Sequence, residues 1–137
     1  EAQMKDRGLK GSAWMVYGRV PMMVSANCLQ KSTHGCQKLP VVYLKDRKGM
    51  IFPTRCVCTY CYNIIYNSLP ISMHEEHERY YREGELSELR LYFSVEDATQ
   101  TYAALKRFGL TEAAQAQYER ADTDYAFTRG HFKRGVM

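Results

Sequence analysis

Three cysteines fall within six positions, Cys56-Val57-Cys58-Thr59-Tyr60-Cys61, and this stretch limits what the chain can fold into more than any other. Cys58-x-x-Cys61 is the spacing with which a tight turn delivers two thiolates to one metal ion or cluster. The same spacing also serves thiol redox chemistry. Cys28 and Cys36, both in polar, glycine-containing sequence upstream, favour ligation. Four thiolates from two loops are the inventory of a tetrathiolate zinc site or an iron–sulfur cluster. Packing as small apolar groups accounts for one or two cysteines, not for five set in polar sequence. Cys56 and Cys58 flank one residue, so on extended backbone their side chains point opposite ways. Cys58 is the preferred donor because it makes the turn with Cys61, and Cys56 stays open as its alternative.

Five cysteines are an odd number, which argues against a closed disulfide framework. At 137 residues the chain is long enough to bury a core without staples, so a single domain and a reducing, cytoplasmic compartment are expected. No apolar run is long enough to cross a bilayer and no leader is visible. The chain starts at Glu1, and both ends read as cut from something longer. A net charge of +4 permits a nucleic-acid or phosphate partner without demanding one. The basic residues read as spread along the chain, the nearest approach to a patch being Arg129, Lys133 and Arg134.

Hydrophobic periodicity supplies the elements. Residues 1–9 read as the end of a helix stopped near Gly8 and Gly11. Residues 12–17 read as a buried strand, and 22–25 as a second strand following Pro21, where no ladder donor is needed. Residues 26–40 read as loop. Two short strands at 41–44 and 50–53 flank Asp46-Arg47-Lys48-Gly49, a hairpin signature. Pro70 limits any helix in the apolar run 64–71, and residues 73–81 read as helical. Residues 89–93 alternate as a strand. Ser94 with Asp97 three positions on has the form of a capping box. Val95, Ala98, Tyr102, Leu105 and Phe108 then fall on one helical face that Gly109 ends. A strand feeding an amphipathic helix is the repeating unit of α/β folds. Residues 111–120 read as a further short helix, and 122–137 as loop.

Other candidate chemistry is weaker. His74-Glu75-Glu76-His77 lacks the H-E-x-x-H order of zinc hydrolases, and a solvated helix surface outweighs ligation there. His34 can replace a thiolate, and His131 between Gly130 and Phe132 can face a pocket. For each, an ordinary hydrogen-bonded or exposed histidine carries more weight. Asn63 and Asn67, polar residues within an apolar run, can orient a substrate or cap local turns. No nucleophile motif and no phosphate-cradling glycine loop is present.

The run Tyr17-Gly18-Arg19-Val20-Pro21-Met22-Met23-Val24-Ser25-Ala26-Asn27-Cys28 resembles the collagenase-like peptidases of family U thirty-two. The resemblance continues through Leu44-Lys45-Asp46-Arg47-Lys48-Gly49, Phe52-Pro53 and Cys61-Tyr62-Asn63-Ile64-Ile65-Tyr66-Asn67-Ser68. It resumes at Leu89-Arg90-Leu91 and at Thr128-Arg129-Gly130-His131-Phe132-Lys133-Arg134-Gly135-Val136, in family order. It implies an α/β fold, the C-terminal portion of a TIM-type barrel with an inserted β-hairpin and a cysteine-rich loop, the barrel's first part lying outside this chain. It also implies a four-iron four-sulfur cluster on Cys28, Cys36, Cys58 and Cys61, with zinc as the alternative occupant. Cys56 departs from the family's pattern and makes the third ligand the weakest assignment. The implied activities are a peptidase acting on polypeptide, or iron–sulfur-dependent hydroxylation of a pyrimidine in RNA. A zinc-stabilised structural fragment is the third reading. No catalytic residue carries over. Arg19, Asn63 and His131 are the expected substrate-binding residues, Arg19 and the cysteine loop facing the mouth of the barrel, with His131, Lys133 and Arg134 at its rim.

Overall fold

The computed structural model describes residues 12–82, 87–110 and 126–129. The chain divides into two compact units, Arg19–Pro70 and a second made of Glu1–Gly18 with Ile71–Met137. The expected helices at 1–9 and 111–120, together with His131, Lys133 and Arg134, lie outside the described residues.

In the discontinuous unit, β1 (Ala13–Gly18) is the middle strand of three. It pairs antiparallel with β6 (Ile71–Ser72) and parallel with β7 (Glu88–Tyr92). Strand β1 buries Val16 and Tyr17 against Met73, Ala104 and Phe108. The Tyr17 ring lies 5.3 Å from that of Phe93 and meets Phe108 edge-on at 6.4 Å. Gly18 ends β1 at φ +148°, and a Cβ there would stand 2.7 Å from the Tyr92 carbonyl oxygen.

After β7 the chain enters α3 (Ala98–Arg107). The capping box is present but sits three residues later than the sequence pattern implies. Asp97 is the N-cap, accepting from the Gln100 N–H, while the Gln100 side chain accepts from the Asp97 N–H. Ser94 instead belongs to a turn whose N–H groups at Ser94 and Val95 donate to the Glu96 carboxylate. Gly109, at φ +69°, ends the helix as expected. The other described helix of this unit, α2 (His77–Arg82), is shorter than the expected span 73–81 and follows a turn.

The Arg19–Pro70 unit is an antiparallel sheet in the order β2-β5-β4-β3. Its strands are β2 (Pro21–Ser25), β3 (Val41–Lys45), β4 (Ile51–Val57) and β5 (Tyr62–Tyr66). The expected loop at 26–40 contains a short helix, α1 (Leu29–Thr33). The β3–β4 hairpin closes on Asp46, whose Oδ1 accepts from the Lys48 and Met50 N–H groups at 2.8 Å each. That use of the carboxylate is why Asp starts the turn.

The TIM-barrel portion is not what these residues form. Seven described strands make two sheets, without closed-barrel topology and without a repeating strand–helix alternation. β1 pairs parallel with β7, and the Asp46 hairpin belongs to the other sheet. Among the described residues, however, the β7–α3 unit is not repeated. Turns of a few residues at 46–50 and 58–61 return the chain directly onto its own neighbour, which permits only antiparallel pairing. Parallel strands need crossovers of a dozen residues or more. With no barrel there is no barrel mouth, so the expected placement of Arg19 and the cysteine loop at one falls with it.

Candidate thiol centre

All five cysteines lie in the Arg19–Pro70 unit, and all are free thiols. Cys28 is the N-cap residue of α1 and is buried. Cys56 is buried in β4, opposite Asn63 of β5. Asn63 is fully buried, and its Nδ2 donates to the Asn27 carbonyl at 2.6 Å, tying the corner before Cys28 to the strand beside Cys56. Its Oδ1 is buried with no hydrogen-bond partner. Cys58 and Cys61 bracket the β4–β5 turn, which the Tyr60 N–H closes onto the Val57 carbonyl at 3.1 Å. Cys61 stands at φ +54°, a left-handed position where glycine is the usual residue. A thiol-bearing side chain is held there at a cost of about 1 kcal/mol.

The loop bearing Cys36 is pinned by a residue that carried no weight in the sequence. Gln30, buried in α1, donates from Nε2 to the Leu39 carbonyl at 2.7 Å. Its Oε1 accepts from the N–H groups of Leu39 and Gln37 at 3.1 and 3.2 Å. The Cys58 Sγ lies 3.8 Å from the same Leu39 carbonyl. One amide therefore joins the Cys28 helix, the Cys36 loop and the Cys58 turn. A glutamine within an unassigned helix gives no periodic signal, which is why it was invisible. Gln30→Leu should strip the Gln37 and Leu39 N–H groups of their acceptor, leave the Leu39 carbonyl with Cys58 Sγ alone, and lower stability by about 1–3 kcal/mol in denaturant unfolding. Amide exchange at Gln37 and Leu39 should rise with it.

The thiols share one electrostatic neighbourhood. The Cys58 pKa is raised, first by burial and then by Cys36, Cys56, Cys28 and Cys61 in that order. Each neighbouring thiolate opposes charge on Cys58, and a bound cation reverses that logic. As the side chains stand, no group of three His, Cys, Asp or Glu among the described residues is arranged to hold a metal ion. Cys36 and Cys61 are exposed, and the Cys61 thiol donates to the Cys58 carbonyl at 3.7 Å. In kind and number the donors fit a tetrathiolate centre. Strand β4 stops at Val57, so Cys58 is already in the turn and strand alternation does not set it against Cys56.

The other expected residues divide. The Arg19 guanidinium donates to the carbonyls of Asn67 and Ser68, joining the start of β2 to the end of β5. Asn67 completes that join by donating its N–H to the Val20 carbonyl at 2.9 Å. His34 is the C-cap of α1 and lines a cavity of about 260 Å³ with Leu29, Val42 and Leu44. His74 and His77 lie in the other unit and are packing residues there. Their rings meet Phe108 edge-on at 6.2 and 4.9 Å, and His74 meets Phe127 at 5.0 Å. The Nδ1 atoms face Ser72 Oγ at 3.0 Å and the His74 carbonyl at 2.6 Å respectively.

Burial, then Arg107, pull the His74 pKa below its ordinary 6.5, with Glu75 and Glu76 opposing. The folded state therefore prefers the neutral ring. Its contribution is complete above that ordinary value and is lost as pH falls below it toward the lowered one. Melting followed between about pH 7 and pH 5 should show a falling midpoint, and His74→Gln should flatten that slope.

Charge is not spread evenly either. The Arg19–Pro70 unit carries seven cations, Arg19, Lys31, Lys38, Lys45, Arg47, Lys48 and Arg55, against Asp46 alone. That is +6, leaving −2 for the rest of a chain whose total is +4. The chain matches no family model, no curated protein and no solved structure.

Proposed function

We propose that the Arg19–Pro70 unit is the thiolate centre of an iron–sulfur enzyme acting on RNA, pyrimidine hydroxylation being the reaction its resemblance implies. The observation that carries this reading is that all five free thiols fall in one unit where cations outnumber carboxylates seven to one. Cys28, Cys36, Cys58 and Cys61 would hold the cluster, with Cys56 beside them. When bound, such a cluster supplies one-electron transfer. The chain's own part is to gather the thiols through Gln30 and Asn63 and to attract phosphates to the basic unit. Free thiols are in keeping with a reducing, cytoplasmic setting. No described helix is long and apolar enough to cross a membrane.

Peptide hydrolysis gains no support. A cysteine nucleophile needs a lowered pKa, and that of Cys58 is raised, which counts against Cys58 in that role. The Ser72–His74 pair sits in the core of the other unit, with Ser72 only 1% exposed. Anaerobic purification followed by iron, sulfide and zinc analysis tests the reading. About four irons and four sulfides per chain are expected. Zinc without sulfide would replace the cluster by a structural metal, and absence of both metals would reject the centre.

A further inference from the structure

Strand alternation divides the side chains of the four-stranded sheet between two faces. Thr54, Cys56 and Asn63 share the face that meets the Asn27–Cys28 corner. The opposite face carries Tyr43 and Lys45 of β3, Arg55 of β4, and Tyr62 and Ile64 of β5. The registers Val41↔Arg55, Arg55↔Ile64 and Val57↔Tyr62 put these in adjoining rows. Tyr43 is 68% exposed, and Lys45 and Arg55 are exposed. From the level of Tyr43, opposite Pro53, to that of Tyr62, opposite Val57, is four residues of β4, about 13 Å. The row then runs into the cysteine turn, where Tyr60 is 77% exposed between Cys58 and Cys61. Pro53 and Tyr66, on the same face, are buried, so the exposed part is the β3 corner and the path to the turn.

Single exposed tyrosines are ordinary. Exposed rings alternating with guanidinium and ammonium groups on an antiparallel sheet, in a unit of charge +6, are the components of a stacking platform for unpaired bases. We propose that this face binds single-stranded RNA, with Tyr43 and Tyr60 stacking on bases and Lys45 and Arg55 meeting phosphates. The strand is thereby led to the cysteine turn. The inference rests on the reading that the unit acts on RNA, and it names where the strand lies.

The test is fluorescence anisotropy of the anaerobically purified chain with a labelled oligouridine, over a series of salt concentrations. Tyr43→Ala should weaken binding roughly tenfold, while Tyr43→Phe, which keeps the ring, should bind as the parent does. Arg55→Gln should reduce the log–log salt slope by about 0.7, the value of one single-strand phosphate contact. Lys31→Gln, on exposed α1, serves as the control for diffuse charge. Circular dichroism melts confirm that each variant is folded. Tyr43→Ala binding like the parent, or Tyr43→Phe losing as much as Tyr43→Ala, overturns the platform. Lys31→Gln matching Arg55→Gln does the same, as does polyglutamate competing as well as unlabelled oligouridine. Failure of the parent chain to bind RNA at all overturns the RNA reading itself, which keeps the two failures distinct.

Discussion

Cys28→Ser should leave the anaerobically purified chain with little of the metal the parent retains. Serine preserves the shape of the N-cap, so α1 should still form and the loss can be assigned to the donor atom. A hydroxyl is a poor ligand for iron–sulfur clusters or structural zinc, both of which select soft thiolates. Cys36→Ser, Cys58→Ser and Cys61→Ser should do the same. Cys56→Ser should retain metal and instead lose stability, because its side chain is 7% exposed within β4 and a hydroxyl there must find a partner. Metal-to-protein ratios by elemental analysis read this directly. If Cys56→Ser loses metal and Cys58→Ser keeps it, the ligand set shifts by one cysteine. If no serine variant changes the ratio, the thiols are not the ligands.

Gly18→Ala should be the most damaging single-methyl change in the discontinuous unit. The backbone at φ +148° is one that side-chain-bearing residues rarely adopt, and the new Cβ meets the Tyr92 oxygen at 2.7 Å and the Tyr92 Cβ at 3.1 Å. Backbone strain and overpacking together cost on the order of 3 kcal/mol. The nearest atom is a backbone oxygen of the strand paired with β1, so no side-chain rotation relieves the clash. A melting midpoint lower by roughly 10 °C or more is expected. Gly35→Ala, whose Cβ would meet nothing within 4 Å but whose φ is +82°, should cost only the backbone term.

Much of the local structure was legible because its causes are local. Pro21 opens β2, Asp46 closes a hairpin, and Gly109 stops α3. The strand at 89–93 was legible from alternation, and the helix after it from its apolar face. What was not legible depends on partners distant in the chain. Cys56, Val57 and the run after Cys61 prolong a hairpin ladder, although nothing in their sequence says how far pairing goes. Gly18 reads as a strand breaker but is a paired strand residue, admitted because Tyr92 comes too close for a side chain. The barrel expectation came from the resemblance and from one β–α unit, and one such unit does not make a barrel.

The candidate site was legible as an inventory and not as an arrangement. Five cysteines announce a thiol centre, but their spacing does not show that Gln30 and Asn63 tie the thiol-bearing segments together. The concentration of positive charge was missed because it is visible only once the unit's bounds are known. His74 and His77 were read as a solvated helix surface, whereas their rings pack on Phe108.

X-ray absorption at the metal edge of the chain, as purified without oxygen, tests the central claim most directly. The account predicts a first shell of sulfur alone at about 2.3 Å, the thiolate distance, with an iron–iron shell beyond it if a cluster is bound. A first shell dominated by nitrogen or oxygen near about 2.0–2.1 Å would contradict it, because the metal would then be held by side chains other than these cysteines.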